Sequence, residues 1–215
     1  HITFHLDFIS PYAFLAFERL PAALQGLSYH VTYKPVLFAA LLNHYGQLGP
    51  AEVAPKRTWT YRQMLWLARD HGVPMQVPVS HPFNPLGLLR LAIACGTAGA
   101  CNRYVAETIF RHVWDSGQEA GDAARLAALT AQLQPARQAT DAAVKAELKA
   151  NTDAAIAVHV FGVPSMQVDS EMFWGLDALP MLRQYIEGDP WFKSGEWVGA
   201  SGLPVGTARK PHHEI

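Results

Sequence analysis

Asp7-Phe8-Ile9-Ser10-Pro11-Tyr12-Ala13-Phe14-Leu15 decides the fold, because it reads as the end of a strand, a turn and the start of a helix. Upstream, Ile2, Phe4, Leu6 and Phe8 alternate with Thr3, His5 and Asp7, the period-2 pattern of a strand with one buried face. Ser10 stands where an N-cap belongs, since its hydroxyl can accept from a first-turn N–H that has no helical partner. Pro11 takes the first helical position, where its missing N–H costs nothing and its fixed φ suits a helix. Phe14, Leu15 and Phe17 then carry the helix inward to about Leu24. A helix N-terminus at Ser10 directs unpaired N–H groups and a positive dipole end at its hydroxyl, so an anion held there would be stabilised. On this stretch alone a plain cap is the default reading of Ser10, and a catalytic one needs support from elsewhere in the chain.

Outward from that turn, Tyr29 to Lys34 reads as a second strand closed by Pro35. Strand, helix, strand within 35 residues implies parallel pairing with a right-handed crossover. The pattern then turns helical: Leu37 to His44, Lys56 to Asp70, a helix capped by Asn84 and running through Ala94, Asn102 to Trp114, Asp122 to Leu133, and Thr140 to about Val158. Gly46, Gly49 and Pro50 mark a loop, and Gly72 and Pro74 end the longest early helix. The last third returns to β. Ser165 to Val168 and Glu171 to Trp174 flank the turn dipeptide Asp169-Ser170 as a hairpin, and a final helix is expected from about Asp177 to Ile186. The expected architecture is α/β: residues 1–36 and 159–200 form one discontinuous sheet domain, 37–158 an all-helical insertion, and 201–215 a poorly ordered tail.

Composition sets the outer limits. The 215 residues are 50% hydrophobic and 16% charged, enough for a sizeable core, and the net charge is −1. No run of five like charges occurs, so nucleic acid and anionic membranes are not expected partners. No apolar run approaches the roughly 18 residues that a membrane helix needs, and a cytoplasmic location is expected. The chain begins at His1, so removal of a few preceding residues is also an expectation. Cys95 and Cys101 do not form a C-x-x-C and read as small core residues. His5, His44, His71, His81, His112 and His159 are scattered without metal-ligand spacing, and no metal is expected. Trp59, Tyr61, Met64, Trp66, Pro82 and Phe83 read mostly as core, with lining of an apolar pocket as the alternative.

Three motifs in order carry a resemblance: Phe8-Ile9-Ser10-Pro11-Tyr12, Phe161-Gly162-Val163-Pro164-Ser165 and Phe173-Trp174-Gly175-Leu176-Asp177. With Gly46-Gln47-Leu48-Gly49-Pro50-Ala51-Glu52 and Pro55-Lys56-Arg57, they resemble the DsbA-like proteins of the kappa-class glutathione transferase group, and within it the 2-hydroxychromene-2-carboxylate isomerases. The resemblance spans roughly residues 2 to 192. It implies a thioredoxin-like domain with a large all-helical insertion, a homodimer, and glutathione as cofactor for a small aromatic substrate. In thiol oxidoreductases of this fold the position of Ser10 is a cysteine, with a second three residues on. Here the pair is Ser10 and Ala13, no disulfide can form, and the thiol must come from a ligand.

Residue by residue, the resemblance makes Ser10 the donor to the glutathione sulfur. It makes Pro164 a cis-proline facing Ser10, with Val163 offering its backbone to the cysteinyl amide. Asp177 would take the γ-glutamyl ammonium and the Leu176 N–H its carboxylate. Lys56 would meet the glycyl carboxylate, with Gln47 nearby. Read from the residues alone, Asp177 is as readily a helix cap, Lys56 a solvated lysine, and Pro164 a trans turn proline. Tyr12 would orient substrate or simply pack, and Lys34, Lys56 and Arg57 are candidates to hold a substrate carboxylate. Leu176 and Ala178 depart from the family pattern, where some relatives carry a polar residue and an arginine.

Overall fold

The computed structural model describes residues 1–207. The expectation of a poorly ordered tail falls, for residues 208–215, outside the described residues, and 201–207 form an exposed turn and coil. Four strands make one mixed sheet in the order β2-β1-β3-β4: β1 (Ile2–Leu6), β2 (Val31–Pro35), β3 (Ser165–Val168) and β4 (Glu171–Trp174). β1 runs parallel to β2, pairing Ile2 with Val31, and antiparallel to β3, pairing Phe4 with Met166. β3 and β4 form the expected hairpin around Asp169-Ser170. The crossover from β1 to β2 is α1 (Pro11–Ala23).

Six helices separate β2 from β3: α2 (Phe38–His44), α3 (Ala54–Asp70), α4 (Leu86–Ala94), α5 (Arg103–Trp114), α6 (Ala123–Leu133) and α7 (Ala142–Ala157). Asn102 caps α5 by accepting from Val105 N at 2.9 Å, and Asp122 caps α6 by accepting from Arg125 N at 2.9 Å. After β4 the chain makes a short 3-10 turn, Leu176–Ala178, then α8 (Leu179–Ile186), a second such turn, Pro190–Lys193, and α9 (Gly195–Ala200). Three details differ from the sequence reading. β2 begins two residues later and includes Pro35, which an edge strand tolerates because a proline there leaves no central ladder bond unmade. Asn84 accepts from Leu86 N at 3.0 Å but sits one residue outside the cap position. α9, capped by Ser194, lies where no element was expected.

The core lies between the sheet and α1 with α5. Phe4 and Phe17 both pack at a tilt against Tyr33, and Phe8, Phe14 and Phe17 all meet Phe110 of α5 with centroids 4.9 to 5.8 Å apart. Such aromatic pairs add roughly 0.5–1.5 kcal/mol each beyond the area they bury. Arg111 of α5 reaches Glu18 of α1 at 3.1 Å and ties the insertion to the crossover helix.

The opposite face of β1 is covered as well, which corrects the expectation of one buried face: His5 is 6% exposed and Asp7 0%. Asn151 of α7 closes that side, its amide donating to Pro35 O at 3.0 Å and to Gly99 O at 2.6 Å. α3 gives a second correction. It buries Met64 and Ala68, whereas Trp59 and Trp66 are exposed at 63% and 59% rather than core.

Candidate active site

The turn between β1 and α1 is held by five hydrogen bonds. Asp7 Oδ1 accepts from Ile9 N at 3.1 Å, and its Oδ2 accepts from Phe38 N at 2.9 Å, linking the turn to the start of α2. Ser10 N donates to Asp7 O at 3.1 Å. The indole of Trp114 donates to Phe8 O at 2.9 Å, and His81 Nε2 donates to Ile9 O at 2.8 Å. Burial pushes the Asp7 carboxyl up to about 7, against which the Phe38, Ile9 and Phe8 N–H groups pull only in part.

Ser10 caps α1 as the sequence indicates: Oγ accepts from Ala13 N at 3.2 Å. Its hydroxyl proton points to Val163 O at 3.3 Å, beyond the usual range of O–H···O bonds. The Ser10 hydroxyl is therefore weakly committed as a donor, and a stronger acceptor seated beside it, such as a sulfur anion, would accept its hydrogen bond instead. The Val163–Pro164 peptide is cis. Pro164 O accepts from Gly175 N at 3.0 Å, which brings the Trp174-Gly175-Leu176-Asp177 segment against the same loop. Gly175 has φ +97°, and a side chain there would collide with Asp177 Oδ1; the carboxylate of Asp177, itself exposed, lies over a position that favours glycine. A Cβ added at Gly162 would likewise come within 2.7 Å of the indole nitrogen of Trp174.

Ser10, Val163 and Pro164 thus stand in one run of contacts that reaches Gly175, whose chain neighbours are Leu176 and Asp177. Arg57 joins them indirectly, its Nη2 donating at 3.0 Å to the carbonyl of His81. Gln47 and Lys56 are exposed in the loop after α2 and the first turn of α3, outside these contacts. Tyr12 spends its hydroxyl on Gln63 Oε1 at 2.7 Å, fixing α1 to α3. Lys34 is placed differently from the expectation: its Nζ donates to Ala98 O at 2.7 Å, on the sheet face turned to α7, where it holds the loop between α4 and α5. These contacts lie apart from those that surround Ser10.

The sequence reading passed over His81 and Trp114. His81, half-buried, precedes a cis proline and packs at a tilt against Trp114, with centroids 5.4 Å apart. The one available signal was His81-Pro82 beside aromatic Phe83 in the proline-rich stretch. Cys101 is buried with its thiol pushed up to about 12, and burial also raises Cys95, so neither supplies a thiolate near neutrality. Two cavities, of about 390 Å³ between α5 and α6 and about 620 Å³ along β2, are lined by neither Ser10 nor Val163.

The DSBA-like thioredoxin domain description matches residues 1–187. The chain belongs to the DsbA-like thioredoxin family. Its four-stranded sheet with helices α2 to α7 inserted is that family's fold with a helical insertion. A 2-hydroxychromene-2-carboxylate isomerase of Pseudomonas putida is 30% identical over 193 residues, 85% of this chain and 92% of that protein. Glutathione s-transferase kappa 2 of Caenorhabditis elegans is 23% identical over 205 residues, covering 86% and 91% of the two chains. Among solved structures, that of a 2-hydroxychromene-2-carboxylate isomerase superimposes with a TM-score of 0.72 at 24% identity, covering 94% of this chain and 97% of the other.

Proposed function

We propose that this protein is a glutathione-dependent isomerase acting on 2-hydroxychromene-2-carboxylate or a related intermediate of aromatic degradation. The observation that carries the reading is the Ser10 hydroxyl, at a helix N-terminus, with its proton only loosely held by Val163 O at 3.3 Å. The kinship with isomerases and kappa-class transferases supports a glutathione-related reaction, and the absence of a cysteine at positions 10 and 13 argues against disulfide exchange by the chain itself.

The residues present fit glutathione. When bound, glutathione would supply a thiolate that adds reversibly to the substrate and is regenerated. A free thiol with pKa near 8.5 is only about 3% ionised at pH 7, and lowering that pKa by roughly two units ionises most of it. Ser10 Oγ and the first-turn N–H groups of α1 are donors suited to that task. Val163 offers its carbonyl to a ligand amide once Ser10 turns away. Asp177 would hold an ammonium and the Leu176 N–H a carboxylate. Lys56, with Gln47 beside it, would meet a second carboxylate at the rim. Arg57 is our candidate for the substrate carboxylate, and Tyr12 borders the site through α1. We further propose a homodimer and a cytoplasmic location; among the described residues no helix is long and apolar enough to cross a membrane.

A kappa-type glutathione S-transferase is the second reading, favoured by the same Ser10 geometry and the transferase relatives. A thiol-binding protein without catalysis is the third. Incubation with 2-hydroxychromene-2-carboxylate and substoichiometric glutathione, followed spectrally, separates them. Complete conversion with free glutathione recovered supports the isomerase. Consumption of glutathione into a conjugate with an electrophile favours the transferase. Retention on immobilised glutathione with neither reaction leaves the third and overturns the proposal.

A further inference from the structure

His81 is 72 positions from Ile9, yet its Nε2 lies 2.8 Å from the Ile9 carbonyl. A carbonyl only accepts, so Nε2 carries the ring proton and Nδ1 of the neutral ring is an acceptor. The Ile9 carbonyl so fixes this tautomer, and the single Tyr61 hydroxyl proton lies between two His81 acceptors, Nδ1 at 2.8 Å and the backbone carbonyl at 2.9 Å. Tyr61 Oη accepts in turn from Arg57 Nε at 3.3 Å, and Arg57 Nη2 donates to the His81 carbonyl at 3.0 Å. The imidazole is packed by Tyr61, Phe83 and Trp114 at centroid distances of 5.6, 6.0 and 5.4 Å. Burial holds its pKa below the ordinary histidine value, the Ile9 bond opposing and the Arg57 charge assisting, which keeps the ring neutral. Arg57 is exposed and spends only two of its five N–H groups on these bonds, so the rest of its fork faces solvent.

We propose that Arg57, Tyr61 and His81 form a relay that ties capture of a ligand carboxylate to the placement of Ser10, with His81 as the positioning residue. The inference rests on the reading of Ser10 as a thiolate donor. An exposed arginine samples many rotamers, whereas a carboxylate gripped by its fork fixes the guanidinium. The pose so fixed is the one that bonds Tyr61 and His81, and through Nε2 it steadies the peptide unit that ends at Ser10 N. Linkage makes the effect reciprocal: a steadied Ser10 turn favours the carboxylate by the same factor.

The test uses the full chain with glutathione, reading ionisation of the bound thiol by its ultraviolet absorbance and glutathione affinity by calorimetry. Cyclohexanecarboxylate is the probe and cyclohexanecarboxamide its neutral control. His81→Phe keeps an aromatic ring and removes the donor; the bound thiol should become several-fold less ionised at pH 7. His81→Gln, whose amide can still reach Ile9 O, should restore most of the loss. Tyr61→Phe, which removes only the hydroxyl that braces the His81 ring and carbonyl, should reproduce it and serves if His81→Phe does not fold. In the wild type the carboxylate should tighten glutathione binding several-fold, the carboxamide should not, and Arg57→Ala should abolish the effect. Wild-type ionisation retained in both His81→Phe and Tyr61→Phe, or a carboxylate that competes with glutathione or acts equally on Arg57→Ala, overturns the relay. A wild-type bound thiol no more ionised than free glutathione overturns instead the reading of Ser10.

Discussion

Replacing His5 by leucine should turn a nearly flat dependence of stability on pH into one that falls as pH rises. His5 is buried in β1 with neither ring nitrogen bonded, and burial pushes its pKa down to about 4 from 6.5, with Gln167 offsetting this in part and Lys34 adding to it. Because the folded pKa is depressed, the unfolded chain binds the proton first as pH falls. Stability is therefore lost between pH 6.5 and 4, and 2.5 units at 1.36 kcal/mol each make the loss about 3 kcal/mol. Asp7, two residues on and fully buried, has the opposite sign. Its pKa is raised to about 7 from 3.8, so the folded chain keeps a proton that the unfolded chain releases, and stability is lost as pH rises from 3.8 to 7, by about 4 kcal/mol. Between pH 4 and 6.5 the two slopes nearly cancel, and the wild type should be almost flat there. His5→Leu is close in volume and removes two unbonded polar atoms, so it should not destabilise at low pH, and it leaves only the Asp7 slope. Urea midpoints followed by circular dichroism at pH 4.5, 5.5 and 6.5 should then fall steadily with rising pH by about 1 kcal/mol per unit. A variant whose profile is as flat as the wild type, or rises with pH, refutes the assignment of opposed titrations.

Gly175→Ala forces a side chain into Asp177 at a φ of +97°, and should weaken glutathione binding at least tenfold by calorimetry while the sheet, read by far-ultraviolet dichroism, persists. Cys95→Ala with Cys101→Ala should leave turnover within about twofold, because burial raises both thiols; abolished turnover in a folded protein would make an internal thiol the nucleophile. Lys34→Met removes the bond to Ala98 O, and should lower the melting temperature without raising KM for the carboxylate substrate. A KM rise at unchanged stability would return Lys34 to the site.

Local chemistry explains what was legible. Ser10-Pro11 is a cap followed by a first-turn proline, Asp169-Ser170 is a turn dipeptide between alternating segments, and each helix of the insertion carries its own period or cap. The contacts that make the site are long-range, and no local pattern encodes them. The faces of β1 illustrate this: His5 and Asp7 alternate with apolar residues as solvent-facing ones would, but both are buried, Asp7 against the start of α2, so a polar strand face became an interior one. In α3, Trp59 and Trp66 share a helical stripe as a core would, while the stripe through Met64 and Ala68 is the one turned inward. Lys34 was a free cation in the sequence until Ala98 and Asn151 closed on it. His81 had no motif to announce it, since its partners Ile9, Tyr61 and Arg57 come from two distant elements. α9 was hidden by Gly195 and Gly199, although Ser194 caps it through Trp197 N at 3.3 Å.

The central claim, that Ser10 stabilises a glutathione thiolate, is tested most directly by titrating the thiol of bound glutathione in the wild type and in Ser10→Ala. Losing the cap to Ala13 N should cost about 1 kcal/mol, which a domain with a margin of roughly 5–15 kcal/mol survives. Losing a hydrogen bond to a thiolate should cost about 1.5–3 kcal/mol, or roughly one to two pKa units on the thiol. The account predicts a bound thiol well below its free value in the wild type, and a rise of that size in a folded Ser10→Ala. The same thiol pKa in both proteins would contradict it and reduce Ser10 to a helix cap.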